Sequence, residues 1–122
     1  ITHPDLRWAR RDIKSVNLLP NCLARQAARE QGAMEAILYD EATGMVTEGA
    51  ATTFWIVDER GVIRTRHLDH VILPGCTRGA LLAELQAAGI AFEERDFSLD
   101  EMRRAREAFI TSATSFVKPI TR

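Results

Sequence analysis

The run Thr52-Thr53-Phe54-Trp55-Ile56-Val57 constrains the fold more than any other stretch of this chain. β-Branched and aromatic side chains fill it without a break, a composition that suits a pleated strand and is disfavoured in a helix. Asp58-Glu59-Arg60-Gly61 has turn chemistry and leads into Val62-Ile63-Arg64-Thr65, so the region predicts a β-hairpin. An earlier apolar run, Met34 to Tyr39, is followed by Asp40-Glu41-Ala42-Thr43-Gly44 and then Met45-Val46, which predicts a second hairpin.

Helical signals alternate with these strands. Residues 17–31 read as a helix capped by Asn17, with Pro20 tolerated only in the first turn and Gly32 as the stop. Leu19, Leu23 and Ala27 are its expected buried stripe. Leu81, Leu82 and Leu85 recur at helical spacing between Thr77 and Ala88, ahead of Gly89. Ala91 to Arg95 reads as a strand, and Ser98-Leu99-Asp100-Glu101 is a capping box opening a short helix through Arg106. Ala108 to Thr111 is a last strand, and Pro119 ends regular structure. The expected class is mixed α/β (α+β) with several adjacent strands antiparallel, and residues 1–122 are expected to form a single domain.

Composition removes several function classes. A net charge of −1 argues against a general nucleic-acid or membrane-surface binder, which would carry a strong basic excess. The basic clusters Arg7, Arg10, Arg11, Lys14 and Arg103, Arg104, Arg106 lack an aromatic platform. No apolar run approaches the roughly 18 residues of a membrane span. Cys22 and Cys76 form no Cys-x-x-Cys pair, which points to a reducing, cytoplasmic compartment. His67, Asp69, His70 and Cys76 lack the second paired cluster of a closed metal site, so no metal is expected.

The chemistry-bearing residues stand far apart in sequence. Taken singly, Lys14 is a solvated lysine, Glu48 a strand-end carboxylate and Gly75-Cys76-Thr77 a capped helix start. Taken together, four blocks resemble the class IV (fold-type IV) pyridoxal-phosphate aminotransferases. They are Arg7-Trp8-x-Arg10-x-Asp12-Ile13-Lys14-Ser15-x-Asn17-Leu18-Leu19, Val46-Thr47-Glu48-Gly49, Ile72-Leu73-Pro74-Gly75-Cys76-Thr77-Arg78 and Thr111-Ser112-Ala113-Thr114-Ser115. The resemblance is closest to the D-amino acid (D-alanine) aminotransferase branch. It implies the C-terminal, lysine-bearing pseudo-barrel domain of that fold, truncated at both ends.

By this resemblance the cofactor is pyridoxal 5'-phosphate, and Lys14 binds it covalently and then moves the substrate proton. That role needs a nitrogen nucleophile that is neutral part of the time, which a lysine near other cations can be and an arginine cannot. Arg7, Arg10 and Arg11 are the cations expected beside it. Glu48 is matched to the partner of the pyridine nitrogen. An ion pair at about 4 Å and an effective dielectric of about 20 contributes on the order of 4 kcal/mol before desolvation, enough to decide a protonation state.

Gly75, Cys76 and Thr77 are matched to the phosphate turn, because a helix N-terminus offers free N–H groups and a positive dipole end. Ser112 and Ala113 are matched to a second phosphate contact, and Arg7, Thr52, Thr53 and Leu73 to further cofactor contacts. Ala113 stands where the family usually has a hydroxyl residue, as do Ala50 and Ala51 after Glu48-Gly49.

The implied reaction is transamination between an amino acid, such as D-alanine, and a 2-oxo acid. It is expected in a longer parent protein whose N-terminal domain and homodimer partner complete the site. A non-catalytic fragment, a branched-chain aminotransferase and an aminodeoxychorismate lyase relative are the alternatives.

Overall fold

The hairpin predicted at residues 52–65 occupies the middle of the larger of two sheets. In the computed structural model, which describes residues 1–121, the elements are β1 (Thr2–Pro4), α1 (Leu19–Glu30), β2 (Ile37–Tyr39), β3 (Val46–Gly49), β4 (Thr53–Val57) and β5 (Ile63–Thr65). They continue with α2 (Cys76–Ala87), β6 (Phe92–Glu94), α3 (Leu99–Arg104), β7 (Glu107–Ser112) and β8 (Phe116–Pro119). A three-stranded sheet has the order β1-β2-β3 and a five-stranded sheet the order β6-β5-β4-β7-β8. The pairs β2/β3, β4/β5, β4/β7 and β7/β8 are antiparallel, whereas β1/β2 and β5/β6 are parallel.

Strand β4 is central because its side chains can be buried throughout its length. Phe54, Trp55 and Ile56 are all buried. Phe54 and Ile56 join Ile37, Val46, Phe97 and Ile110 in the main core, with Leu99 and Met102 of α3 packed against it. The alternate residue Trp55 turns to the opposite face, where it stacks on Phe109 at 5.5 Å. Its indole N–H donates to Thr111 Oγ1 at 2.9 Å.

Helix α1 departs from expectation at its start and on its buried face. Asn17 does not cap it: its amide donates to Ser15 Oγ in a local turn, and Leu18 is the N-cap without a side-chain bond. Ala24 and Ala28 are buried, while Leu19 and Leu23 are exposed. The alanines pack against Ala36, Leu38 and Ala50, and only small side chains let a helix approach a sheet that closely. The leucines therefore face outward.

Other boundaries also shift. Helix α2 begins at Cys76 with Gly75 as N-cap, one residue earlier than expected, and α3 stops at Arg104. The chain turns outward there because the Arg106 amide donates to Val57 O at 2.9 Å. The Ser98–Glu101 capping box forms with both of its hydrogen bonds. Two strands escaped the sequence reading, β1 and β8. Both are edge strands, so neither carries the apolar run of a buried strand. Strand β8 ends at Pro119, where the sequence places the end of regular structure.

Replacing Thr111 by valine removes the one acceptor that the buried Trp55 N–H has among the described residues while keeping the side chain's volume. The expected result is a loss of about 1–3 kcal/mol in urea unfolding, the cost of an unsatisfied buried donor. An unchanged midpoint would show that the bond carries no net stability.

Candidate active site

Glu48 enters the site because β3 ends there and the chain must reverse into β4. The Gly49 amide donates to Thr52 O at 2.8 Å, closing the reversal. A Cβ on Gly49 would lie 2.0 Å from Thr52 Oγ1, so any larger residue there would force Thr52 to move. Helix α1 fixes the outer side, with Asn21 Nδ2 donating to Ala50 O at 2.6 Å.

The Glu48 carboxylate is buried and held from two directions. Arg7 Nη1 donates to Oε1 at 2.5 Å, and the Leu73 amide lies 3.3 Å from Oε1 and 3.4 Å from Oε2. Arg7 is itself clamped by Asp5, with Nε to Oδ1 at 2.9 Å and Nη2 to Oδ2 at 2.7 Å. Thr47 Oγ1 donates to Asp5 Oδ2 at 2.7 Å, and Arg11 Nε stands 3.5 Å from the same oxygen.

These contacts set the charges. Burial works against the Asp5 carboxylate, but the hydrogen bond and charge of Arg7, the Thr47 hydroxyl and Arg11 together lower it below the ordinary aspartate value. Burial likewise opposes the Arg7 charge, yet Asp5 and Glu48 raise its hold on its proton above normal. Burial pushes the Glu48 carboxyl above the usual carboxylate range, with the Arg7 charge and hydrogen bond and the Leu73 amide pulling against it. Glu48 thus holds a proton more readily than an exposed glutamate does.

The anion-type turn forms at the start of α2. Gly75 is the N-cap and offers no side-chain bond, and the first turn carries no acidic residue. Its leading amides therefore keep their free N–H groups and the positive end of the helix. A Cβ on Gly75 would stand 3.1 Å from Thr53 Oγ1, so glycine allows this turn to seat against β4. Next to it, Thr53 and Thr111 are register partners of β4 and β7. Beyond them Ser112 Oγ accepts the Ser115 amide and contacts Ser115 Oγ at 2.7 Å, shaping the β7–β8 turn that holds Ala113.

Arg7, Glu48, Thr53, Leu73, Gly75 and Ser112 line one cleft of about 760 Å³, together with Lys14, Thr52, Cys76 and Thr77. Its walls hold five basic side chains, Arg7, Arg11, Lys14, Arg25 and Arg78, against the acidic Asp12 and Glu48. A chain with net charge −1 thereby concentrates positive potential in its cleft, which favours anionic ligands.

The sequence matches the family described as "Amino-transferase class IV" over residues 2–122. The chain belongs to the class IV aminotransferases. It is 43% identical to a D-alanine aminotransferase of Listeria monocytogenes over 121 residues, 99% of this chain and 41% of that protein. It therefore spans less than half the length of such a relative. A fold IV-transaminase from Curtobacterium pusillum superposes with a TM-score of 0.86 at 28% identity, covering 98% of this chain and 44% of that one. A Brucella abortus aminotransferase bound to the cofactor PLP gives a TM-score of 0.77 at 29% identity over 83% of this chain and 35% of its own.

Within this class IV chain the predicted site residues Arg7, Lys14, Glu48, Thr52, Thr53, Leu73, Gly75, Cys76, Thr77, Ser112 and Ala113 all meet at the cleft. The basic cluster around Lys14 is arranged differently from expectation. Arg7 and Arg11 face Asp5, and Arg10 pairs with the neighbouring Asp12 at 2.7 Å. Three carboxylates engage these guanidinium groups. Thr52 gives its hydroxyl to Glu35 at 3.2 Å. His67 pairs with Asp96 and Asp69, and the His70 carbonyl accepts the Arg11 amide.

Sequence reasoning missed Asp5 and Thr47. The spacing Asp5-x-Arg7 puts a carboxylate on the same side of an extended segment as the arginine, which is the signal that was available. Asp5 stabilises the fold fully above pH 3.8, its ordinary value, and loses that contribution as pH falls through its lower folded-state value. Asp5→Asn is expected to cost about 3 kcal/mol at pH 7, as for one partner removed from a buried pair. The gap from the unmodified chain should close in acid below about pH 4. Denaturant titrations at several pH values read both quantities, and a gap constant with pH would refute the assignment.

Proposed function

We propose that this chain is the cofactor-bearing half of a pyridoxal-phosphate-dependent aminotransferase acting on an amino acid, such as D-alanine, and a 2-oxo acid. One observation carries the reading: a lysine, a buried carboxyl and two hydroxyl-bearing turns, drawn from four distant segments, open onto the same cationic cleft. The relatives named D-alanine aminotransferase favour the D-amino acid branch.

The residues suit the cofactor. A cleft of about 760 Å³ lies within the range of small-ligand sites. The α2 start supplies unpaired amides and a glycine that admits close backbone approach, as a phosphate requires. Bound pyridoxal phosphate supplies the electron sink for charge developing at the substrate α-carbon.

Around it each protein group has a separate task. Lys14 would hold the cofactor through its Nζ and, when that amine is free, would carry the proton to and from the substrate α-carbon. Glu48 would hold a proton at the pyridine nitrogen, and Arg7 with the Leu73 amide fixes its carboxyl in place. The amides of Cys76 and Thr77, the Thr77 hydroxyl and the Ser112–Ala113 turn would bind the phosphate. Ala113 serves through its backbone alone, and Ser112, already bonded to Ser115, shapes the turn. Thr53 and Thr52 would border the cofactor, with the Thr52 hydroxyl held by Glu35.

We assign turnover to the longer parent protein, whose N-terminal domain and second subunit would supply the substrate-gripping groups. Trp8, Ile13 and Leu18 are about half exposed where they line the cleft, and Val16 and Leu19 are exposed nearby. An apolar surface of this kind suits cover by protein. Residues 1–122 act as one domain of that parent, in a cytoplasm where both free, exposed cysteines stay reduced. Among the described residues no helix is long and apolar enough to cross a membrane.

Pyridoxal phosphate added to the purified chain, followed by borohydride, should fix the cofactor's mass on the peptide that contains Lys14. Peptide mass spectrometry reads the result. An adduct spread over other amines, or none, refutes the cofactor assignment.

A further inference from the structure

Helix α2 meets the five-stranded sheet through an arginine that the transamination chemistry does not use. Arg78 is the third residue of α2, one position after Thr77, and is 3% exposed. Its Nη2 donates to Arg66 O at 3.0 Å, where the chain leaves β5, and to Glu94 Oε1 on β6 at 2.5 Å. One guanidinium nitrogen therefore ties the first turn of α2 to two adjacent elements.

The opposite side of the same turn rests on β4, where Gly75 packs over Thr53 closely enough that a Cβ would meet Oγ1 at 3.1 Å. The turn is thus gripped at two points, by glycine contact on β4 and by Arg78 at the β5–β6 edge. No side chain caps it, and no acidic residue in its first turn neutralises it. Arg78 Nε is buried with no hydrogen-bond partner among the described residues, although Arg78 lines the cleft. A brace serving stability alone gains nothing from burying an unsatisfied charged donor, since a buried apolar side chain of similar volume costs less.

We infer that Arg78 is a positioning residue that holds the Gly75–Thr77 turn rigidly against the sheet, so that its amides select the phosphorylated form of the cofactor. This rests on the function proposed above. A helix start that can rock loses the fixed fan of N–H donors, because charge-assisted hydrogen bonds depend steeply on distance and angle. The arginine also places a buried positive charge one residue from the anion's hydroxyl donor. Arginine suits the post because the planar guanidinium fixes the directions of the two Nη2 hydrogens, one toward the carbonyl and one toward the carboxylate, whereas the ammonium of a lysine sits on a flexible stem with freely rotating donors.

The test compares pyridoxal phosphate with pyridoxal, which lacks the phosphate, in absorbance titrations of the whole chain. The unmodified chain should prefer the phosphorylated ligand. Arg78→Met should reduce that preference roughly tenfold or more, the loss of one charge-assisted interaction, while pyridoxal affinity stays constant. Arg78→Lys should fall between.

Glu94→Gln removes the charge of Arg78's partner from a partly exposed position and should lower the preference severalfold, which decides the matter if Arg78→Met does not fold. An unchanged preference in Arg78→Lys and Glu94→Gln overturns the inference, as does an equal loss of both ligands. If the unmodified chain binds neither compound at Lys14, the proposed function fails instead.

Discussion

A single buried arginine shared by two buried carboxylates organises this molecule. Arg7 would be costly to bury alone, and so would Asp5 or Glu48. Asp5 takes two of its nitrogens and Glu48 the third, so each charge answers another. The consequence reaches beyond stability, because the pairing joins the segment ahead of Lys14 to the end of β3. Leu73 adds the loop before α2 to the same carboxylate, and the His70 carbonyl ties that loop back to Arg11. Three segments distant in sequence are thereby fixed around one acidic group.

The rest of the cleft follows from where strands end. Strand β4 is central in its sheet and apolar from Phe54 to Val57, and Thr53 at its start falls beside Thr111 near the far end of β7. The β3–β4 reversal, the β7–β8 turn and the start of α2 consequently crowd together. Glycines at 49 and 75 permit that crowding, since a side chain at either would strike Thr52 or Thr53. The cleft is therefore built from loops on a rigid frame, which is where binding residues generally reside.

Much of this was legible from residues alone. The β4–β5 hairpin, the capping box at Ser98 and the helix around Leu81 to Leu85 follow from local composition, which matches the tertiary demand at those places. The edge strands β1 and β8 do not, because their partners rather than their own residues make them extended. Helix α1 misled for a related reason. Leucines ordinarily mark the buried face, yet here close packing on Ala36, Leu38 and Ala50 selects Ala24 and Ala28. Asp5 and Thr47 escaped notice because their role lies in burial with a partner: the Asp5-x-Arg7 spacing hints at the ion pair, but nothing in the sequence displays its burial. Arg78 lay inside a recognised block, but its bonds to Arg66 and Glu94 are visible only in three dimensions.

The central claim is that Glu48, backed by Arg7 and Asp5, holds the proton on the ring nitrogen of the cofactor. The direct measurement is the nitrogen-15 chemical shift of ring-labelled pyridoxal phosphate bound to the chain, compared between the unmodified protein and Glu48→Gln. A shift of the protonated ring in the former and of the neutral ring in the latter is the predicted result. A protonated ring in both, or a neutral ring in both, would contradict it.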